Sequence, residues 1–74
     1  MEEFKIGQDV RYISDGKIYK IMGSKEKPLI LKFSDTYPKN ENDYAIVLNP
    51  VPLNADGNPF APILSVKKED LEIL

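Results

Sequence analysis

The chain has 74 residues, 42% of them hydrophobic and 30% charged, with a net charge of −2. This is the composition of a single globular domain rather than a disordered segment. It contains neither cysteine nor histidine, so disulfides, thiolate metal sites and the commonest general base are all excluded.

A chain this short buries only roughly 60% of its unfolded surface, which predicts modest stability. No apolar run approaches the roughly 20 residues of a membrane span. The acidic start, MEEFKIG, lacks the apolar core of a secretory signal. A cytoplasmic protein with no membrane association is the expectation.

In chain order, Phe4 and Ile6 are expected to close one end of a core, and Gly7 and Asp9 to turn the chain into a first strand over 9–13. Val10 and Tyr12 share one face of that strand and Arg11 takes the other. Ser14-Asp15-Gly16 is a tight turn, with Gly16 supplying the positive φ that a hairpin needs. The second strand is expected over 17–23. Tyr19 and Ile21 lie on one face; Ile18, Lys20 and Met22 lie on the other. Apolar residues on both faces predict a bent strand that packs on two sides.

Residues 23–28 form a polar loop ended by Pro28. A third strand is expected over 29–34, with Leu29, Leu31 and Phe33 inward. Residues 35–43, DTYPKNEND, read as a loop of turn formers. The fourth strand, 44–48, is the most strand-like run in the chain. It should end at Asn49-Pro50, because proline has no amide hydrogen for the ladder.

Residues 49–62, NPVPLNADGNPFAP, carry four prolines, which rules out a central strand. The expected form is a distorted hairpin arm folding back around Ala55-Asp56-Gly57-Asn58. A short strand over 63–66, a 3₁₀ turn over 67–70 and a closing strand over 71–74 complete the chain. Evenly spaced strands with turn signals between them predict an all-β half-open barrel of five or six strands. The expected core is Phe4, Val10, Tyr12, Tyr19, Ile21, Leu31, Phe33, Ile46, Leu48, Val66, Leu71 and Ile73. Ile18 and Val47 are the expected partly covered residues of the second face.

Gly7, Val10 and Tyr12, followed by Gly16, Tyr19 and Ile21, fit a "G-x-x-V-x-Y" strand and then a "G-x-x-Y-x-I" strand. Val66 through Leu71 fit a 3₁₀ turn leading into a last strand. Together these stretches resemble SH3-like small barrels, over about half the chain, at the level of fold. The peptide-binding SH3 domains add an "ALYDY"-like run, a Trp pair and a terminal "P-x-x-Y". None of these occurs here, so their groove for proline-rich peptides is not implied. Because small barrels host many unrelated functions, the site has to be argued separately.

Charge is unevenly spread. Residues 11–39 net +4, residues 1–10 net −2 and residues 40–74 net −4. An enzyme would have to use carboxylates of Asp35, Glu41, Asp43 or Asp56, all in expected loops where acids are ordinarily turn formers. Asp35, Glu41 and Asp43 lack the alternating ligands and central glycine of a calcium loop. No catalytic residue, metal site or cofactor is therefore expected.

Two binding readings stand. In the first, the chain is a non-enzymatic interaction or regulatory accessory module. Its arm, with the adjoining 35–43 loop, would offer Leu53, Phe60, Val51 and Tyr37 to an unidentified protein partner. The competing role for Phe60 is to cap the barrel. In the second reading, Arg11, Lys17, Lys20, Lys25, Lys27 and Lys32 form a basic face for nucleic acid. The competing role for these residues is to solvate and guard the outer face of a hairpin. A monomer, or a weak homodimer through an open strand edge at 44–48, is compatible with either reading.

Overall fold

The structure is a computed structural model that describes residues 4–31, 35–58, 60 and 62–74. Seven strands appear among the described residues: β1 (Asp9–Tyr12), β2 (Ile18–Ser24), β3 (Leu29–Ile30), β4 (Thr36–Tyr37), β5 (Tyr44–Leu48), β6 (Leu64–Val66) and β7 (Leu71–Ile73). A 3₁₀ turn over Lys68–Asp70 separates the last two. The class is all-β, as the turn signals predict. No helix among the described residues is long and apolar enough to cross a membrane.

Five strands form one antiparallel sheet in the order β6-β5-β2-β1-β7, and β3 and β4 form a separate pair. The sheet is open rather than closed. Its strands are short because turn chemistry interrupts them early. The first hairpin turns through Gly16 at φ 72°, where a side-chain-bearing residue would be strained. Asp15 braces the turn, accepting bonds from the Lys17 N–H and the Tyr19 hydroxyl.

The inner face follows the period-two pattern. Val10 pairs with Tyr19, Tyr19 with Leu48 and Ile21 with Ile46, giving continuous rows across the sheet. Val10, Ile21 and Ile46 are fully buried, with Tyr19, Tyr44, Val66 and Leu71 around them. Phe4, Tyr12, Leu48 and Leu64 pack against this cluster from its margins.

β2 packs on both faces, as its composition predicts. A register shift between Ile21 and Gly23 bends the strand. Beyond the bend, Gly23 pairs with Ala45, and both are buried, Ala45 although it stands between the core residues Tyr44 and Ile46. The β3–β4 hairpin covers Gly23. A methyl group added at Gly23 would stand 2.8 Å from the Leu29 nitrogen and 3.2 Å from the Tyr37 carbonyl oxygen. Glycine is required there by close approach of a backbone, not by its dihedral freedom. Ile18 and Val47 are half-buried on the outer face, as expected.

Several expectations are corrected. The third strand stops at Ile30, and Leu31 and Ile73 are exposed rather than core. Leu31 lies past the two-residue β3, at the hairpin end where its N–H meets the Asp35 carbonyl, and Ile73 lies on an edge strand. Ile6 is exposed and only Phe4 reaches the core. Phe33 lies outside the described residues. Tyr44 and Ala45 join the core, because β5 is interior to the sheet and covered on both faces. The open edge expected at 44–48 is instead taken by β2 on one side and, over Tyr44–Ile46, by β6 on the other. The 35–43 stretch is not wholly loop, since Thr36–Tyr37 forms β4.

Candidate functional site

The 49–62 arm leaves the sheet between β5 and β6. Its base is fixed to the sheet. The Asn49 N–H donates to the Ile18 carbonyl at 3.1 Å, and the Asn49 side-chain amide donates to the Asp9 carboxylate at 2.8 Å. The arm then folds back on itself as a hairpin-like loop. The Phe60 N–H donates to the Pro52 carbonyl at 2.8 Å, and the Asn54 N–H donates to the Asn58 carbonyl at 2.9 Å.

Asn54 organises the tip. Its side-chain oxygen accepts from the Asp56 and Asn58 N–H groups at 2.9 and 3.1 Å. Its carbonyl accepts from the Gly57 N–H at 2.9 Å, with Gly57 at φ 82°. An Asx turn of this kind gives the tip's N–H groups an acceptor where no strand ladder offers one. The arm is thus a locally bonded loop with its own internal geometry.

Three of its apolar side chains are exposed. Leu53 is 63% exposed, Phe60 61% and Val51 38%. Phe60 is therefore not a cap on the barrel. Asp56 is the one charged residue between positions 49 and 62, in a chain that is 30% charged. A surface depleted of charge and carrying an exposed aromatic residue has the composition of an interface centre.

Tyr37 is half-buried in β4, paired with Leu29, and the Lys39 ammonium stands 4.7 Å from its ring centroid. These contacts tie it to the hairpin rather than to the arm. The expected grouping of Tyr37 with Val51, Leu53 and Phe60 is not assembled by them.

The basic residues sit among acids. Arg11 meets Glu72 at 3.7 Å, Lys20 meets Asp9 at 3.4 Å and Lys25 meets Asp43 at 3.3 Å. Lys17 is next to Asp15, whose carboxyl is held below its ordinary value mainly by the Tyr19 hydroxyl bond and further by Lys17. Lys27 is exposed, and Lys32 lies outside the described residues. Tyr19 belongs to the core and Tyr12 packs against it, and the two rings meet edge to face at 5.6 Å between centroids.

The loop acids have structural employment. Asp43 accepts from the Lys68 N–H at 2.9 Å, and its own N–H donates to the Val66 carbonyl at 2.9 Å. It thereby fastens the start of β5 to the entry of the 3₁₀ turn. The Lys68 bond, helped by Lys25, holds the Asp43 carboxyl below its ordinary value. Asp35 pairs with Lys39 at 3.5 Å. Sequence reasoning missed this role of Asp43, for which the only signal is an acid placed directly before a strand.

Two open clefts of about 320 and 350 Å³ adjoin at Ser24, Glu26 and Tyr44. Their walls mix Lys5, Lys25, Lys27 and Lys68 with Glu26, Asp43 and Glu69, and Phe4 and Ile6 line one end. The opposed charges favour no one class of ligand. No protein-family model, curated protein or solved structure matches the chain. The functional reading therefore rests on geometry and chemistry.

Proposed function

We propose that this chain is a non-enzymatic protein-interaction module that docks a protein partner through its 49–62 arm. One observation carries the reading: Leu53 and Phe60 are both more than half exposed on an arm that has one charge and its own internal hydrogen bonds. Internal bonding lowers the ordering cost of binding, and exposed apolar anchors supply the favourable contribution. The SH3-like reading of the framework is supported by the last strand, which follows a 3₁₀ turn and returns beside the first.

The test is capture by immobilised wild-type protein compared with the Leu53→Ser/Phe60→Ser double variant. The expected result is a partner retained by the wild type and lost by the double variant, with the same thermal midpoint in both. Equal retention by both proteins would overturn the reading. The nucleic-acid reading has less support, because Arg11, Lys20 and Lys25 each face an acid within 4 Å. It predicts binding that weakens steeply with salt and is unaffected by the double variant.

A further inference from the structure

The sheet ends on β7, on the side away from the arm. The Ile13 N–H donates to the Asp70 carbonyl at 2.9 Å, and Arg11 pairs with Glu72 in register. Antiparallel alternation then turns the Glu72 backbone groups toward β1 and those of Ile73 away from it. The Leu71 N–H is taken by the Lys68 carbonyl, which leaves the Leu71 carbonyl facing outward.

Ile73 stands opposite Val10, and so continues the inner row of Leu48, Tyr19 and Val10. Yet Ile73 and the adjoining Leu74 are each 57% exposed. The row stops at the edge with its last member uncovered. The same stretch carries Glu69, Asp70 and Glu72 and no basic residue between positions 69 and 74.

We propose that β7 is a strand-addition site for an extended segment of a partner protein in which apolar and basic residues alternate. The N–H and C=O of Ile73, with the C=O of Leu71, supply the main-chain bonds. An apolar partner residue beside Ile73 extends the inner row. A basic residue beside Glu72 turns the Arg11–Glu72 pair into a cation–anion–cation row, the favourable cross-strand arrangement. A second copy fits worse. Antiparallel self-pairing of β7 with matched inner faces sets Glu72 against Leu74 when Ile73 meets Ile73, or against the Glu72 of the other copy when Ile73 meets Leu71, and neither register gives Glu72 a second cation. The edge thus selects a basic strand over its own kind, as charged edge residues commonly do.

The test uses the isotope-labelled full chain and three capped peptides of about seven residues, a usual strand length. One alternates Val and Lys, one alternates Val and Glu, and one is the Val/Lys peptide with alternate backbone nitrogens methylated. The expected result is saturable amide shifts over 71–74 and β1, with slowed exchange of the Ile73 N–H. The Glu and methylated peptides should each bind about tenfold or more weakly, roughly 1.4 kcal/mol or more. In Glu72→Lys, whose side chain is exposed, the preference should invert toward the Glu peptide. Four outcomes would overturn the proposal: equal binding of the Lys and Glu peptides, no shifts on β7 at millimolar peptide, shifts confined to 49–62, or β7 shifts that grow with protein concentration in the absence of peptide.

Discussion

The five-stranded sheet and the 49–62 arm are held together in opposite ways. In the sheet, side chains alternate in and out, and stability comes from apolar rows such as Val10, Tyr19 and Leu48 meeting across strands. In the arm the apolar side chains face solvent, and the shape comes from Asn54 and a few backbone bonds. Apolar residues are therefore doing different things in the two regions. Those of the sheet are needed for folding. Those of the arm are left exposed by folding.

The sharpest way to break this comparison is to truncate one residue from each region. Ile46 is fully buried on the interior strand β5. Ile46→Ala should cost about 2–5 kcal/mol, the range for emptying a packed aliphatic site. Leu53→Ala should stay within about 0.5 kcal/mol, as exposed substitutions do. Urea denaturation of both variants checks the contrast, and equal costs would mean that the arm belongs to the folding unit. Next in size is Gly23→Ala. Its new methyl group meets a backbone nitrogen at 2.8 Å, so the β3–β4 hairpin has to move. The expected cost is about 1–3 kcal/mol, with amide shifts concentrated on Leu29 and Tyr37.

How much of this was legible in the sequence follows from the same division. Period-two alternation places Val10, Tyr19, Ile21 and Ile46 correctly, because one face of each strand meets one core. The turn at Gly16 and the fold-back at Gly57 were legible because glycine chemistry is local. Leu31 and Ile73 were misplaced because alternation states which face a side chain takes, not whether anything covers it. Ile73 does lie on the inner face, but at an edge. Tyr44 and Ala45 were missed because their burial depends on β5 being flanked by β2 and β6, a long-range fact. In the arm, the exposure of Val51, Leu53 and Phe60 was legible from prolines that forbid a ladder. Tyr37 was not, because two residues of β4 carry no strand signal of their own.

Titration sharpens the comparison more gently, since it acts on groups at the ends of the sheet. Asp15 and Asp43 both have carboxyls held below the ordinary 3.8 in the folded state. The unfolded chain therefore takes up these protons first, and their contribution, complete above the ordinary value, is lost as pH falls through the folded values. Tyr19 is pushed from 10.0 to about 12 by its burial and by Asp15. Its contribution is complete below pH 10 and is lost as pH rises toward 12. Urea midpoints across acid pH should fall less steeply in Asp43→Asn than in the wild type. Tyrosinate absorbance should show a late-titrating component that is lost in Tyr19→Phe.

The smallest expected effect is the most informative about the arm. Leu53→Ser/Phe60→Ser removes two exposed apolar side chains and leaves every backbone bond of the loop in place. The Phe60 N–H still reaches the Pro52 carbonyl, and Asn54 still holds the tip. Stability should therefore change by no more than about 0.5 kcal/mol. Asn54→Ala makes the complementary change. It keeps Leu53 and Phe60 but removes the acceptor for the Asp56 and Asn58 N–H groups, so the arm should loosen while the sheet's amide spectrum stays fixed. If preorganisation contributes to binding, Asn54→Ala should weaken partner capture while Leu53→Ser/Phe60→Ser abolishes it. If instead both variants lower the thermal midpoint together, the arm is folded into the sheet's cooperative unit. The division between a region that folds and a region that binds would then be wrong.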